Sequence, residues 1–506
     1  MNTGFTALRR LVVGGLGLIL IAIVAEPPLQ VGIAQNQPAR KQIALPSSKF
    51  LLEPVPGMPR PTNSFPVTMA LDPTGRFLAI LNNGFGTRES QFQQSIAMLD
   101  LEKNQLRDFP DRRFYVNAAQ TYFYGLAFST DGARLYASVG SITDPAGQRP
   151  GHLGNGIAVY EFRDGAVAPQ GFLKIPLQSA PAGKEQNPAL ASLPQGKCIP
   201  YPAGLAVVRG VHGDEIVVAD NLSDNALLMD PASGQILHVF DLTTSNHIPA
   251  SYPYAVVATR DGARAYCSLW NASDVAELDL RSGQVLRRIP LFKSSSPIGA
   301  GSHPTALLLS RDEKRLYVAL ANADAVAVID SARGQLIGLL STLLPGQDYA
   351  GTYPSGLAET ADGKRLLVVD SGADAIAVFD TSSDNLPIPH PALGFVPTEW
   401  YPTAVAVRGD DLLIASGKGV GSGPNSGVEK GYAPESLPGM HPYVVSMLHG
   451  SIARLSLRRA ESELASFTEE VQRSNLMQNR DFKMPFAGGA KPHQACDLYT
   501  QGEPEL

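Results

Sequence analysis

The sequence is poor in charge, in cysteine and in clustered basic residues, and each shortage excludes a class of protein. Charged residues make up 17% of the 506 residues, and 47 acidic against 41 basic side chains give a formal charge of −6. No basic run is longer than a pair such as Arg112-Arg113 or Arg458-Arg459, so a strong nucleic-acid signal is missing. Hydrophobic residues reach 44%, which excludes a disordered chain.

Sequence motifs that mark common catalytic and cofactor sites are also missing. There is no HExxH, no CxxC, no Gly-x-Ser-x-Gly, no Walker A loop and no CxxCH for haem. The glycine period of collagen and the heptad composition of coiled coils are absent as well. We therefore expect no cofactor and no metal site, and we assign no catalytic residue from the sequence.

Glycine and proline, by contrast, are abundant. The 48 glycines and 40 prolines make about 17% of the chain, against roughly 12% in average proteins. Together with the apolar content, this composition predicts a large globular protein rich in turns and β-strands.

The first 34 residues have the pattern of a signal peptide. Arg9-Arg10 precede an apolar run from Leu11 to Ala25, which is shorter than the ~20 residues of a membrane span. Cleavage after Ala34 predicts a periplasmic or secreted protein with no transmembrane segment in the mature chain. An uncleaved N-terminal anchor is the alternative.

The three cysteines suit an exported protein without defining a disulfide framework. Cys267 lies in an apolar strand pattern and is predicted to be buried. Cys198 and Cys496 either form one disulfide or remain two unpaired thiols.

One sequence repeat occurs seven times between residues 45 and 457. It has an aromatic residue or histidine, usually a proline, two apolar strands joined by a turn, a polar stretch, and a third strand ending in aspartate. The residues that open the copies, called openers below, are Phe65, Tyr124, Tyr201, Tyr252, His303, Tyr353 and Tyr401. Successive copies start 48 to 77 residues apart.

Each copy fits four antiparallel strands. Tight-turn pairs follow the first strand at Asp131-Gly132, Asp261-Gly262 and Asp362-Gly363, and others precede a fourth strand at Gly234-Gln235, Gly283-Gln284 and Gly334-Gln335. Four strands every ~50 residues are typical of a propeller blade. The sequence thus predicts an all-β, seven-bladed β-propeller with four-stranded antiparallel blades, in which residues 45–60 complete the last blade.

The repeat resembles the YVTN-type β-propeller repeat, for example in RLYVALANADAVAVID at residues 315–330. The resemblance covers about residues 45–457 and implies a seven-bladed propeller in an exported bacterial or archaeal protein. LPSSKFLLEPVPG, IASGKGVGSGPNSG and HGSIARLSL are closer still to one subgroup. In that subgroup a propeller precedes an alkaline-phosphatase-like phosphoesterase domain.

The chain departs from that subgroup after the propeller. The spacing of apolar residues in 459–476 predicts a C-terminal amphipathic helix, with one face formed by Ala460, Leu464, Phe467 and Val471. Residues 477–506 predict a poorly structured tail, into which no metal-binding set of aspartate and histidine fits. We therefore expect this chain to lack the phosphoesterase domain, and the apolar helix face predicts a partner that covers it.

The long insertions of the repeat fall at one end of the predicted blades. Loops between blades share one face with the loops that join second and third strands, and residues 82–94, 141–155, 178–200 and 416–446 are all of these kinds. We call this the loop-rich face and the opposite one the turn face. Long loops in compact domains are commonly functional, so we expect a small molecule, peptide or protein to bind there.

The openers start the innermost strands and are predicted to ring the channel mouth on the loop-rich face. Polar side chains follow the second strands at Asn82, Asn221, Asn271, Asn322 and Asp370. With Tyr124, Tyr201, Tyr252, His303, Tyr353 and Tyr401 they form the predicted ligand-binding set. Aromatic faces beside amides and carboxylates suit a polar organic ligand, a peptide or a sugar. The repeated Tyr-Pro is also typical of side chains that plug the channel and set the blade spacing.

Two further groups have alternative interpretations. Residues 417–423, GKGVGSG, form either an anion-binding nest or a flexible hinge. His303, His441 and His449 either converge as ligands or bases, or serve as surface and packing residues.

These observations lead to competing hypotheses. The first is an exported monomeric propeller that acts as a binding or scaffold protein through its loop-rich face. The second is a hydrolase, either lactonase-like or a phosphoesterase whose catalytic domain comes from a separate chain. The third is single-stranded nucleic-acid binding by the aromatic ring.

Overall fold

The computed structural model describes residues 40–115, 119–188, 190, 193–211, 213–291, 301–383, 386, 388–421 and 448–477. The predicted signal peptide, most of the predicted tail, His441 and Cys496 lie outside these residues. Across the described ranges, no helix is both long and apolar enough to cross a membrane.

Three short strands precede the regular repeat. They are β1 (Lys41–Ala44), β2 (Phe50–Glu53) and β3 (Arg60–Pro61). β1 and β2 pair with each other as an antiparallel hairpin, whereas β3 belongs to the last blade.

Seven four-stranded antiparallel units follow one another along the chain, which confirms the predicted seven-bladed β-propeller. Blades 1 and 2 consist of β4 (Pro66–Leu71), β5 (Phe77–Asn82), β6 (Gln93–Asp100), β7 (Gln105–Tyr115), β8 (Thr121–Phe128), β9 (Arg134–Gly140), β10 (Gly156–Arg163) and β11 (Ala166–Lys174). The next link carries β12 (Gln178–Ser179), β13 (Glu185–Gln186) and β14 (Lys197–Cys198).

The middle blades are the most regular. Blade 3, the following link and blade 4 consist of β15 (Pro202–Arg209), β16 (Asp214–Asp220), β17 (Asn225–Met229), β18 (Ile236–Asp241), β19 (His247–Ile248), β20 (Pro253–Ala258), β21 (Arg264–Leu269), β22 (Asp274–Asp279) and β23 (Gln284–Pro290). β12 pairs with β14, and β13 pairs with β19, so the long link after blade 2 is itself held by short strands.

The last three blades bring the ring back to its start. They consist of β24 (Pro304–Leu309), β25 (Arg315–Leu320), β26 (Ala325–Asp330), β27 (Gln335–Ser341), β28 (Pro354–Glu359), β29 (Arg365–Asp370), β30 (Ala375–Asp380), β31 (His390–Pro391), β32 (Gly394–Pro397), β33 (Trp400–Arg408), β34 (Asp411–Gly419) and β35 (Ser451–Ser456). β31 adds to the outer edge of blade 5.

The outermost strand of blade 7 is β3, so the two ends of the propeller close the ring by pairing. Arg60 pairs with Ile452 and Pro61 with Ser451. Of the 45–60 segment that was predicted to complete the blade, only Arg60 enters it, through β3. Residues 45–53 contribute instead to the β1–β2 hairpin and its turn.

The hydrophobic core is divided into seven clusters, one between each pair of adjacent blades. The second strands β5, β9, β16, β21, β25, β29 and β34 are buried along most of their length. Both faces of these strands lie against a neighbouring blade, which is why their sequences are apolar throughout rather than alternating.

A circuit of side-chain hydrogen bonds also joins each blade to the next. The acceptor is always a backbone carbonyl at, or close to, the start of the next innermost strand. In ring order the donor–acceptor pairs are Asn83–Phe123, Asn155–Pro200, Asn221–Pro253, Ser268–Thr305, Thr305–Pro354, Ser371–Pro402 and Thr403–Pro66. We call this the blade circuit.

The C-terminal segment forms two helices rather than the one predicted at 459–476. They are α1 (Leu457–Ser462), capped by the Ser456 hydroxyl, and α2 (Leu464–Ser474). Phe467 and Val471 are buried against blades 5 to 7, and the Thr468 hydroxyl accepts a hydrogen bond from the Phe395 N–H. The propeller itself covers the apolar face, so the inference of a partner at this helix is wrong.

The cysteine prediction is confirmed for Cys267, which is fully buried in β21. Cys198 is also buried and free, and it lies in β14 rather than in an open loop. Burial raises the pKa of the Cys198 thiol to about 11. Cys496, the partner of Cys198 in one of the two alternatives, lies outside the described ranges.

Ser268→Ala tests the blade circuit. The fully buried Ser268 hydroxyl accepts from the Ala255 N–H and donates to the Thr305 carbonyl, so its loss leaves two backbone groups without this partner. We expect a loss of about 1–3 kcal/mol in the free energy of unfolding, measured in urea. Ser282→Ala, at an exposed turn of the same blade, is the matched control and should change stability by less than about 0.5 kcal/mol.

Candidate functional site

Five of the seven openers adopt a left-handed backbone conformation. The φ angles are 53° at Phe65, 52° at Tyr252, 49° at His303, 52° at Tyr353 and 61° at Tyr401. Bulky residues rarely adopt positive φ, and such a conformation costs of order 1–3 kcal/mol unless its surroundings enforce it. The repetition in five blades shows that the fold enforces it.

Buried carboxylates hold three of these openers, Tyr252, Tyr353 and Tyr401, by accepting their N–H groups. Asp324, at the end of the polar stretch in blade 5, accepts the Gly351, Thr352 and Tyr353 N–H groups at 2.6, 3.0 and 3.2 Å. Each carboxylate belongs to one blade and the opener to the next. One blade therefore positions the opener of its neighbour.

The same device recurs at intervals of 49 to 51 residues, with Asp224, Ser273, Asp324 and Asp374 at corresponding positions. Asp224 accepts from the Tyr252 N–H at 2.9 Å and Asp374 from the Tyr401 N–H at 2.8 Å. Ser273 accepts from Ser302, which precedes the opener of blade 5. This role was not predicted from the sequence, although aspartates that recur with the 50-residue repeat indicate a shared structural role.

Tyr201 is held differently. Its N–H donates to Asp220, which belongs to the same blade and also accepts from Ser223. Asp220 is fully buried, and burial raises the pKa of its carboxyl to about 7. The Tyr201 side chain is half-buried and packs edge-on against Phe123, with ring centroids 5.3 Å apart.

Tyr124 does not start an innermost strand, contrary to the prediction. β8 begins three residues earlier, at Thr121, and Tyr124 lies in a bulge between Tyr122 and Leu126. Its ring lies 4.8 Å from that of Tyr254, and burial raises the pKa of Tyr124 to about 12. These two rings, with Phe123, form an aromatic cluster at the inner ends of blades 2 and 4. Tyr254 and Phe123 were not in the predicted set.

On blades 4 and 5 the openers form a platform with one tryptophan. The rings of Trp270 and His303 stack with centroids 3.8 Å apart, and Tyr252 packs edge-on against Trp270 at 6.3 Å. Burial lowers the pKa of His303 despite its hydrogen bond with Asn322. The stacked imidazole and indole, with the Tyr252 ring edge-on to the indole, thus lie beside the Asn322 amide. We call Tyr252, Trp270 and His303 the aromatic platform.

Blades 6, 7 and 1 bring together a second group of rings. Phe65 and Tyr401 are 6.0 Å apart between ring centroids. Burial and the nearby Tyr353 raise the pKa of Tyr401, and the Tyr353 side chain is 49% exposed. The Lys418 ammonium lies 4.2 Å from the Tyr401 centroid and 4.6 Å from that of Trp400.

The predicted polar residues divide by burial. Asn82 and Asp370 are fully buried, and Asn221 is 9% exposed and donates to the Pro253 carbonyl in the blade circuit. Asn271 and Asn322 are exposed. Burial, with nearby Asp324, raises the pKa of Asp370. The structure thus leaves Asn271 and Asn322, both beside the aromatic platform, as the accessible members of this set.

The glycine-rich segment begins as strand. β34 continues through Gly419, and a Cβ at Gly417 would lie 3.0 Å from the Phe65 ring, so this glycine permits close approach of an opener. Residues 422 and 423, which complete the predicted nest or hinge, lie outside the described ranges. His449 lies close enough to Glu89 to lower its pKa, together with stronger local hydrogen bonds.

One acid–histidine pair lies in the 141–155 insertion. His152 Nδ1 is 2.9 Å from Asp144 Oδ2, and both side chains are mostly buried. Asp144 also accepts the Gln148 and Arg149 N–H groups. Burial opposes ionisation of Asp144, but these hydrogen bonds outweigh it and lower the pKa. Throughout the described chain, no group of three or more acidic, histidine or cysteine side chains is arranged to hold a metal ion.

A wide groove lies elsewhere, on the turn face between blades 5 and 6. Its volume is about 880 Å³, and charged residues such as Arg311, Asp312 and Lys364 line it. Comparable turn-face grooves separate blades 6 and 7 and blades 1 and 2. Because the groove recurs between blades, we regard it as a consequence of blade geometry and place the candidate site at the aromatic side chains.

No protein-family model matches the chain, and no curated protein matches it significantly. The predicted YVTN membership therefore remains a prediction. Among solved structures, virginiamycin B lyase from Staphylococcus aureus is 14% identical with a TM-score of 0.46, covering 78% of this chain and 98% of that one.

Two other solved structures have different activities. The periplasmic gluconolactonase of Pseudomonas aeruginosa is 19% identical with a TM-score of 0.48, covering 66% of this chain and 85% of that one. Hydrazine synthase of Kuenenia stuttgartiensis is 15% identical with a TM-score of 0.46, at coverages of 72% and 94%. Likenesses this distant carry no argument about function.

Asp220→Asn tests the buried carboxyl behind Tyr201. The folded protein holds the Asp220 proton up to about pH 7, whereas the unfolded chain releases it near pH 3.8. This stabilisation is complete below about pH 4 and is lost as the pH rises through 7. In urea unfolding between pH 4 and 7.5, wild type should lose up to about 4 kcal/mol relative to the variant. If the difference in unfolding free energy between wild type and variant does not change with pH, Asp220 is ionised throughout this range.

Asp261→Asn provides a control of opposite sign. Hydrogen bonds from Thr259 and Ala263 lower the pKa of Asp261, so the stability it contributes should be lost as the pH falls below 4 rather than as it rises.

Proposed function

We propose that this propeller is an exported binding protein whose loop-rich face takes up a small polar organic ligand on its aromatic side chains. The observation that carries the proposal is the series of partly exposed aromatic openers with a strained backbone, three of which are held by a carboxylate of the preceding blade. Rings that are fixed before binding lose little conformational entropy when a ligand stacks on them.

The neighbouring groups favour a ligand with both an apolar face and hydroxyl or amide groups. The aromatic platform supplies aromatic ring faces and edges, and the exposed amides of Asn271 and Asn322 lie beside it. Rings combined with amide donors and acceptors suit a sugar ring, and also suit a short peptide. We propose the sugar ring as the first class to test. The repeat pattern supports membership of the YVTN-type propellers.

Intrinsic fluorescence offers a direct test, because the chain has two tryptophans, Trp270 and Trp400. Both lie among the candidate side chains. Neutral and acidic mono- and oligosaccharides and short peptides are titrated into the full-length mature protein while tryptophan emission is recorded. We expect a saturable change with at least one sugar, and at least tenfold weaker binding by Trp270→Ala in calorimetry, equivalent to about 1.4 kcal/mol.

The matched control is Leu286→Ala, which removes an exposed apolar side chain from the outermost strand of the same blade. It should leave binding unchanged. The proposal fails if no compound changes the emission of either tryptophan, or if Trp270→Ala and Leu286→Ala bind equally well.

Hydrolysis is a second candidate function, and the Asp144–His152 pair favours it. A histidine that donates Nδ1–H to a carboxylate keeps Nε2 free to accept a proton from water, as a general base does. We expect His152→Ala to abolish any turnover in a panel of lactones and phosphoesters. The control is His247→Ala, which removes an exposed histidine 3.6 Å from Glu185. A wild-type protein that hydrolyses none of the panel excludes this candidate.

A further inference from the structure

The Lys418 side chain is unusual for a half-buried ammonium. It lies over the Trp400 and Tyr401 rings, and no described residue accepts a hydrogen bond from it. An aromatic face attracts a cation through its quadrupole but leaves the N–H groups unsatisfied. Three donors of a partly desolvated cation are therefore available to an acceptor that the described chain does not supply.

The local charge is also unbalanced. Lys418 and Lys49 both interact electrostatically with the same carboxylate, Asp374. Asp374 is committed to the Tyr401 N–H, and burial raises the pKa of its carboxyl to about 6. Two ammonium groups thus share one buried carboxylate, in a chain whose formal charge is −6.

Two other charged groups near Lys418 have hydrogen-bond partners of their own. Lys49, in the turn of the β1–β2 hairpin, donates to the Gly372 carbonyl. The carboxyl of Glu399, beside Trp400, accepts instead from the Ser451 hydroxyl. Tyr353, half exposed and close to Tyr401, adds an aromatic face and a hydroxyl.

We propose that Lys418, with Lys49 as a second ammonium near the same carboxylate, forms an anion-binding subsite in which a ligand carboxylate or phosphate binds the Lys418 ammonium while the body of the ligand contacts Trp400, Tyr401 and Tyr353. This inference rests on the proposed function and deepens it by adding a subsite on blades 6 and 7 to the aromatic platform on blades 4 and 5. It assigns the ligand class as a sugar, or a similar small polar molecule, that carries one anionic group.

The test uses each tryptophan as a separate reporter. Trp270→Phe leaves Trp400, beside Lys418, as the emitter, and Trp400→Phe leaves Trp270 in the aromatic platform. Three matched probes are titrated into each protein: glucose, its carboxylate glucuronate and its phosphate glucose 6-phosphate. Acetate and inorganic phosphate serve as bare anions. We expect the Trp400 reporter to respond to the anionic sugars at least tenfold more tightly than to glucose, with an affinity that falls as salt is added.

Lys418→Met, made in the Trp270→Phe background, should abolish this preference. Methionine retains packing on the rings but carries no charge, so the anionic probes should bind at least tenfold more weakly and glucose no differently. Lys418→Arg should retain the preference. The control Lys364→Met removes an exposed lysine from the turn face and should change nothing. Thermal melting of each variant establishes that it is folded.

The outcomes separate the two proposals. Stronger binding of glucuronate than of glucose 6-phosphate assigns the anion as a carboxylate, and the reverse order assigns it as a phosphate. If Lys418→Met binds the anionic probes as wild type does, while the Trp270 reporter still responds to sugars, the proposal of an anion-binding subsite is wrong and the proposed binding function stands. If neither reporter responds to any of these probes or to the wider panel, both fail together.

Discussion

The structure depends on the hydrogen bonds that join each blade to the backbone at the start of the next innermost strand. In six of the seven junctions the acceptor carbonyl lies at a bulge that interrupts strand pairing, and in the seventh Pro200 precedes its strand. A buried carbonyl without a partner is costly, and the neighbouring blade removes that cost with an asparagine, serine or threonine side chain. The circuit closes only when Thr403 of blade 7 reaches Pro66 of blade 1.

The same constraint determines where an aromatic surface can form. The blade circuit and the carboxylates of Asp224, Asp324 and Asp374 act on the same short segments, the first residues of each blade. The blade circuit fixes the position of the blade, and the carboxylates fix the backbone of the opener. Strain at these residues is therefore balanced by contacts between blades rather than within one, which is how a strained backbone persists at a candidate site.

Local chemistry made much of the fold predictable. Gly262 has a φ of 65° and Asp261 accepts the Ala263 N–H, as an Asp-Gly turn requires, and the apolar runs are the buried strands. The shift of Tyr124 was not predictable in this way, because the two extra residues of the bulge change the register without changing the composition. Burial of Asn82 and Asp370 was missed for a similar reason: the end of a second strand faces another blade, which a repeat pattern does not show.

The positions of the rings decide which end of the propeller can act as a site. Tyr124 and Tyr254 pack together at the inner ends of their blades, which favours binding at the mouth over binding deep in the channel. On the turn face, aspartates of the Asp-Gly turns bond to nearby backbone N–H groups, and charged side chains such as Arg333 and Asp330 form ion pairs. The groove there is therefore lined mostly by groups that already have partners. At the mouth, the Lys418 ammonium and the Tyr353 ring retain unused binding capacity, and unsatisfied capacity is a stronger indication of a ligand than volume.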